Sequence, residues 1–209
     1  LISRMEQIRR FNSASQAIDV LDNGGQFYNI FTKADDDLIS QSEVSKVAGA
    51  GLQKQKAVLF LNLAMTNLTA REQQEIEGRF DDNLSDSFQK YAPQKIDSHA
   101  ELESLKAGTG VIISGVPWKI EGEGVISGYI SIPVIDVFTL IPISETYIVY
   151  EIKDDVSGQS VLVAHDKDAG LLPETKLNIA GVIKQFQLAQ DDESEFQKFI
   201  EVDFYNEAK

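Results

Sequence analysis

The chain has no cysteine among its 209 residues. That excludes disulfides, thiol nucleophiles and thiolate metal centres. Histidine is nearly missing: His99 and His165 are the only two, and neither stands at ligand spacing from other metal-binding residues. Arginine stops early, the last being Arg79, and residues 107–209 carry seven lysines and no arginine. No G-x-S-x-G elbow and no Walker A lysine loop occurs, and the paired carboxylates at Glu121/Glu123 and Asp191/Asp192/Glu193 fall in turn-like sequence. These absences leave no recognisable catalytic constellation, so the chain is read as not an enzyme. No signal peptide is visible. The first residue is Leu1, and a segment removed upstream of it is an expectation.

What is present is an ordinary globular composition with an acidic balance. Hydrophobic residues make up 43% and charged residues 25%, with a net charge of −14. Residues 1–106 hold 12 basic and 16 acidic side chains, whereas residues 107–209 hold 7 and 17. A surface of that sign repels nucleic acid and anionic lipid and suits cations or basic partners. The least charged stretch, Gly124 to Ser144, contains only Asp136 as an ionisable residue. Its length suits a membrane span, but Pro133, Pro142 and the central aspartate argue against a helix, and it reads as strand.

Periodicity divides the chain. Ile2, Met5, Ile8, Phe11, Ile18 and Leu21 recur at helical spacing up to Asn23-Gly24-Gly25. Lys54 to Leu68 reads as a buried helix. Thr69 and Glu72 form a capping box for a helix whose apolar face is Ile76, Phe80, Leu84 and Phe88, ending at Pro93. Ser98 and Glu101 open a short helix closing near Lys106. After Gly108 the period becomes two. Strands are expected from Val111, around Ile126–Ile132, over Ile148–Ile152 and at Val161–Val163. Two more are expected over Leu177–Leu188 and Phe196–Tyr205.

Residues 107–209 resemble the oligonucleotide-binding (OB) fold, as found in small envelope and haem-delivery barrels and in anticodon-binding-like domains. Gly108-x-Gly110-Val111-x-Ile113-x-Gly115 resembles a bent first strand, and Tyr147–Asp154 and Val161–Val163 the second and third. Leu171-Leu172-Pro173 with Leu177–Ile183 resembles the connector and fourth strand, and Phe196–Tyr205 the fifth. Residues 119–144 exceed a plain first hairpin, so an extra hairpin is expected. The haem-delivery relatives carry a histidine in a C-terminal tail. None stands here, and haem is not carried over. Trp118, Tyr129, Tyr147 and Tyr150 are the aromatics a single-strand binder would stack on, but the positive groove it needs is missing.

The segment 28–46 resembles an EF-hand. Tyr28-x-x-Phe31 precedes a loop counted from Thr32 to Glu43, with Asp36 at position five, Leu38 at seven, Ser40 at nine and Glu43 at twelve. Thr32, Ala34 and Asp37 depart from the pattern at positions one, three and six. The resemblance implies weak calcium binding at best, and no other cofactor is expected.

The expectation is therefore an α+β chain, with a helical domain at 1–106 packed on an antiparallel OB-like β-barrel at 107–209. Its function is expected to be binding or assembly through a protein partner, in the bacterial cell envelope or periplasm ahead of the cytoplasm. The contact residues are Trp118, Tyr129, Ile135, Val137, Phe138, Leu140 and Ile141, the last five being too many apolar side chains for one strand face to bury. A calcium-responsive regulator and an OB-fold single-strand binder are the alternatives.

Overall fold

A computed structural model describes residues 5–22, 36–120, 128–134, 137–143, 147–154, 157–188 and 196–208, with backbone alone over 128–134, 137–142 and 187–188. Two compact units result: Ile8–Pro93, and Leu1–Gln7 together with Gln94–Lys209. The boundary expected after Lys106 thus moves back to Pro93, because Gln94–Ile96 already pairs with the strand that begins at Gly110.

The first unit is helical. Its helices are α1 (Ala14–Leu21), α2 (Gln41–Val47), α3 (Lys54–Ala64), α4 (Ala70–Glu77) and α5 (Asp82–Lys90). Most begin at a side chain that satisfies the orphan amides of the first turn. Ser13 caps α1 and Asp81 caps α5. Ser40 with Glu43, and Thr69 with Glu72, form reciprocal capping boxes. α3 has no such cap and is held by burial instead: Ala57 through Leu61, Leu63 and Ala64 are all buried.

Two expected helices break up. Glu6–Gln7 is a short strand, β1, so Met5, Ile8 and Phe11 are buried from extended chain and α1 starts only after Ser13. The helix expected through Phe88 stops at Glu77. Phe80 instead forms a parallel bridge with Ile39, with Ile39 N–H donating to the Arg79 carbonyl (2.7 Å) and Asp81 N–H to the Ile39 carbonyl (2.9 Å). The bridge places the N-caps of α2 and α5 side by side.

Among the described residues the second unit is a mixed sheet with one α-helix and a 3-10 turn at Lys167–Ala169. After β2 (Gln94–Ile96) and α6 (His99–Ser104) come β3 (Gly110–Gly115), β4 (Trp118–Lys119), β5 (Gly128–Val134) and β6 (Val137–Pro142). Then come β7 (Tyr147–Lys153), β8 (Ser160–Asp166), β9 (Leu177–Leu188) and β10 (Gln197–Glu207). The main ladder runs β2-β3-β9-β10-β8-β7-β4. β8 and β10 are parallel, whereas β3–β9, β9–β10, β7–β8 and β4–β7 are antiparallel. β3 and β4 pair at opposite ends of the β9-β10-β8-β7 ladder although only Val116 and Pro117 separate them.

Two glycines mark close approaches. A Cβ on Gly115 would sit 2.3 Å from Ile152 Cγ2, and one on Gly181 would sit 2.1 Å from the Glu201 carbonyl oxygen. The second lies beside the register shift between Val202 and Phe204, where β10 bends.

The sheet carries a buried cluster on each face. One carries Val111, Ile113, Tyr150, Ile152, Val161, Val163, Ile179, Ile200 and Val202, closed over by Leu102 of α6. The opposite face carries Tyr147, Val149, Ala164, Phe186 and Phe199, joined by Ile143.

Candidate interaction site

The sequence places candidate contacts on the long excursion between β4 and β7. Backbone register shows how that excursion is built. β5 and β6 form a hairpin from Tyr129↔Pro142 to Val134↔Val137, so the turn falls at residues 135–136. Ile135 lies outside the described residues. β9 outruns its other partners and joins the hairpin through Gly128↔Leu188 and Tyr129↔Gln187. Because paired residues share a face and alternate along the strand, one face receives Tyr129, Pro142, Ser131, Leu140, Pro133 and Phe138. The other receives Ile130, Ile141, Ile132, Thr139, Val134 and Val137. Tyr129, Phe138 and Leu140 therefore stand on one face of the hairpin, and Val137 and Ile141 on the other.

The root of the excursion lies against the outer aromatic cluster. Ile120 N–H donates to the Val149 carbonyl (3.0 Å), and both Ile120 and Ile143 pack on that cluster. Phe199 meets Tyr147 and Phe186 edge to face, with ring centroids 5.5 and 6.0 Å apart. Tyr147 Oη donates to Glu201 Oε1 (3.0 Å), and Lys184 Nζ lies 3.4 Å from Glu201 Oε2. Burial, reinforced by the Glu201 carboxylate, pushes the Tyr147 phenol far up, so Tyr147 stays a neutral donor. Trp118 shares this face further along, in the β4–β7 pairing, and is 47% exposed.

Among the described residues the calcium-loop positions do not assemble as a site. Glu43 is the third residue of α2, and its Oε2 accepts from Ser40 N–H and Ser40 Oγ, both at 2.8 Å. Ser40 and Glu43 are thus a capping box, a pairing that the S-x-x-E spacing also fits. Leu38 is exposed, and its N–H donates to Asp36 Oδ1 (3.2 Å). Asp36 and Asp37 offer their own amides to the buried Asp22 carboxylate. Burial raises the Glu43 pKa, with Asp22 and Asp36 adding to it, and Glu43 Oε1 is buried without a hydrogen-bond partner. Thr32 and Ala34 lie outside the described residues. Among the described residues no group of three or more His, Asp or Glu is placed to hold a metal.

His165, which the sequence leaves without ligand spacing, is fully buried. Its Nδ1 lies 2.8 Å from the Asp166 carbonyl, which can only accept, so Nδ1 carries the proton and Nε2 accepts from Tyr150 Oη (3.1 Å). Tyr150 Oη in turn accepts from Leu172 N–H (3.1 Å). Burial lowers the His165 pKa. The imidazole is a neutral tether for the β8–β9 connector. His99 is remote from it in role: it opens α6, its N–H donates to Asp154 Oδ2 (3.3 Å), and its Nε2 lies 3.9 Å from Glu103. Among the described residues no helix is long and apolar enough to cross a membrane.

No family model matches the chain, and no curated protein matches it. Among solved structures it is similar to the N-terminal domain of an archaeal MCM, at a TM-score of 0.36 and 14% identity, over 82% of this chain and 86% of that one.

Proposed function

We propose that the chain is a non-enzymatic binding or assembly module, with an OB-like barrel as scaffold and the β5–β6 hairpin as the contact for a protein partner. The barrel reading is supported by strand order. If residues 110–119 are one bent strand, the ladder becomes 1-4-5-3-2-1 with strands three and five parallel, the order of an OB barrel. The hairpin reading is carried by one observation: register distributes apolar residues over both faces of a two-stranded ribbon. Seating one face on the chain's own sheet leaves the other for a partner, and an unsupported two-stranded ribbon is marginal in water. Placement in the bacterial cell envelope rests on the lack of cysteine and is part of the proposal.

The test replaces residues 130–141 with a short Gly-Ser turn, since Tyr129 and Pro142 are already a cross-strand pair. The expected outcome is loss of partner capture with an unchanged melting temperature. A collapse of the melting temperature would make the hairpin part of the core and end this reading. Salt-sensitive binding of a labelled single strand at low ionic strength would move the function to nucleic acid, against the absence of arginine from 107–209.

A further inference from the structure

The outer face of the sheet unit divides into a covered half and an open half. In the covered half Ala164, Phe186 and Phe199 are shielded from solvent around Ile143. In the open half Trp118 faces Glu151 across β4–β7, and Glu151 faces Leu162 across β7–β8. Facing side chains on adjacent strands stand about 5 Å apart, so Trp118, Glu151 and Leu162 form a row roughly 10 Å wide. Ser160 Oγ donates to Glu151 Oε2 (2.7 Å), which fixes that carboxylate on the row. Leu162, half-buried where it packs on the covered cluster, and Ser160 also line a cavity of about 420 Å³ whose other lining residues include Phe196, 57% exposed, with Lys198 and Glu103 of α6. Lys198 is already committed, bonding the Glu103 carbonyl and lying 3.5 Å from Glu103 Oε2.

We propose that this row docks an extended, basic segment of a protein partner. An arginine or lysine of that segment lies over the Trp118 indole with its cation on the Glu151 carboxylate. The side chain two residues along, about 7 Å away in an extended chain, is apolar and enters the cavity between Leu162 and Phe196. Charge complementarity selects the occupant: residues 107–209 carry 17 acidic and 7 basic side chains and no arginine, so a cationic strand is attracted and a nucleic-acid strand is repelled. This site rests on the protein-binding reading above but uses different residues from the hairpin.

Trp118 is the chain's only tryptophan, so its emission reports the site directly. The probe is a five-residue peptide alternating leucine and arginine, with a glutamine-for-arginine peptide as control. Saturable change in Trp118 emission is expected with the arginine peptide, about tenfold weaker with the control peptide and about tenfold weaker in Glu151→Gln. Glu77→Gln, which removes the same charge from α4, is expected to bind as the parent does. The hairpin-replaced chain is also expected to bind the peptide, so the two readings fail separately. Should Glu151→Gln lower the melting temperature, Trp118→Ala read through anisotropy of a labelled peptide takes its place. Three results would each overturn the proposal: no saturable change up to about 1 mM peptide, equal weakening in Glu77→Gln, or a response to oligothymidylate in place of the peptide.

Discussion

The two units of this chain are specified over different distances. In the helical unit, four helix starts are set by a side chain reaching three residues ahead, as Thr69 does to Glu72 and Asp81 to Leu84. In the sheet unit the comparable bonds join residues far apart in sequence: Ser114 Oγ donates to Asn178 Oδ1 (2.6 Å), and Tyr147 Oη to Glu201. Local specification makes a helix robust to any one change. Long-range specification concentrates stability at the few points where strands are forced together.

The sharpest test of that difference is Gly181→Val. The new side chain would need room now held by the Glu201 carbonyl and Ile200 Cγ2, which backbone cannot vacate without opening β9 from β10. A loss of about 3 kcal/mol or more is expected in the sheet unit. Hydrogen exchange should show the sheet amides unprotected while those of α3 keep their protection. Equal loss in both units would mean that they unfold as one, and the comparison would fall.

Tyr150→Phe probes the same unit more gently. Its hydroxyl serves two buried partners, the Leu172 amide and His165 Nε2. Removing it leaves both unsatisfied, with an expected cost of about 1–3 kcal/mol by urea unfolding followed at Trp118. Tyr147→Phe should cost less, because Glu201 retains Lys184.

For the helical unit the matching change is Thr69→Ala, which removes one half of a reciprocal capping box. About 1 kcal/mol is expected, confined to exchange in α4. Ser98→Ala in the other unit should have a smaller effect. Ser98 Oγ accepts from Glu101 N–H (3.2 Å), but Glu101 returns its carboxylate to Asp97 N–H rather than to Ser98.

Legibility obeys the same divide. The Thr69–Glu72 box, the buried helix from Lys54 and the full length of β9 can be read directly, because each depends on neighbours in sequence. Spacing misleads where two structures satisfy it. Ile76, Phe80, Leu84 and Phe88 keep a four-residue interval across a break, since Phe80 serves a bridge and Asp81 restarts the helix. Ser40 and Glu43 fit both a calcium loop and a capping box, and the structure shows the box. The Trp118–Glu151–Leu162 row is invisible in sequence because it exists only through the pairing of three strands.

The smallest whole-chain effect is expected from pH, because the units respond with opposite signs. His165 has a folded pKa below its unfolded value near 6.5, so the unfolded chain binds more protons and stability falls as pH drops below about 6.5. Glu43 has a folded pKa above its unfolded value of 4.5. Its contribution is complete below that value and is lost as pH rises through the folded pKa. Between the two unfolded values, acidification therefore weakens the sheet unit and strengthens the helical one, and a single melting curve partly hides both. Protection factors, with the intrinsic pH dependence of amide exchange divided out, should move in opposite directions in β8 and in α2 as pH falls. His165→Gln should abolish the first trend and Glu43→Gln the second, each leaving the other in place. If both trends vanish with either substitution, the two groups share one unfolding event and the units are not independent.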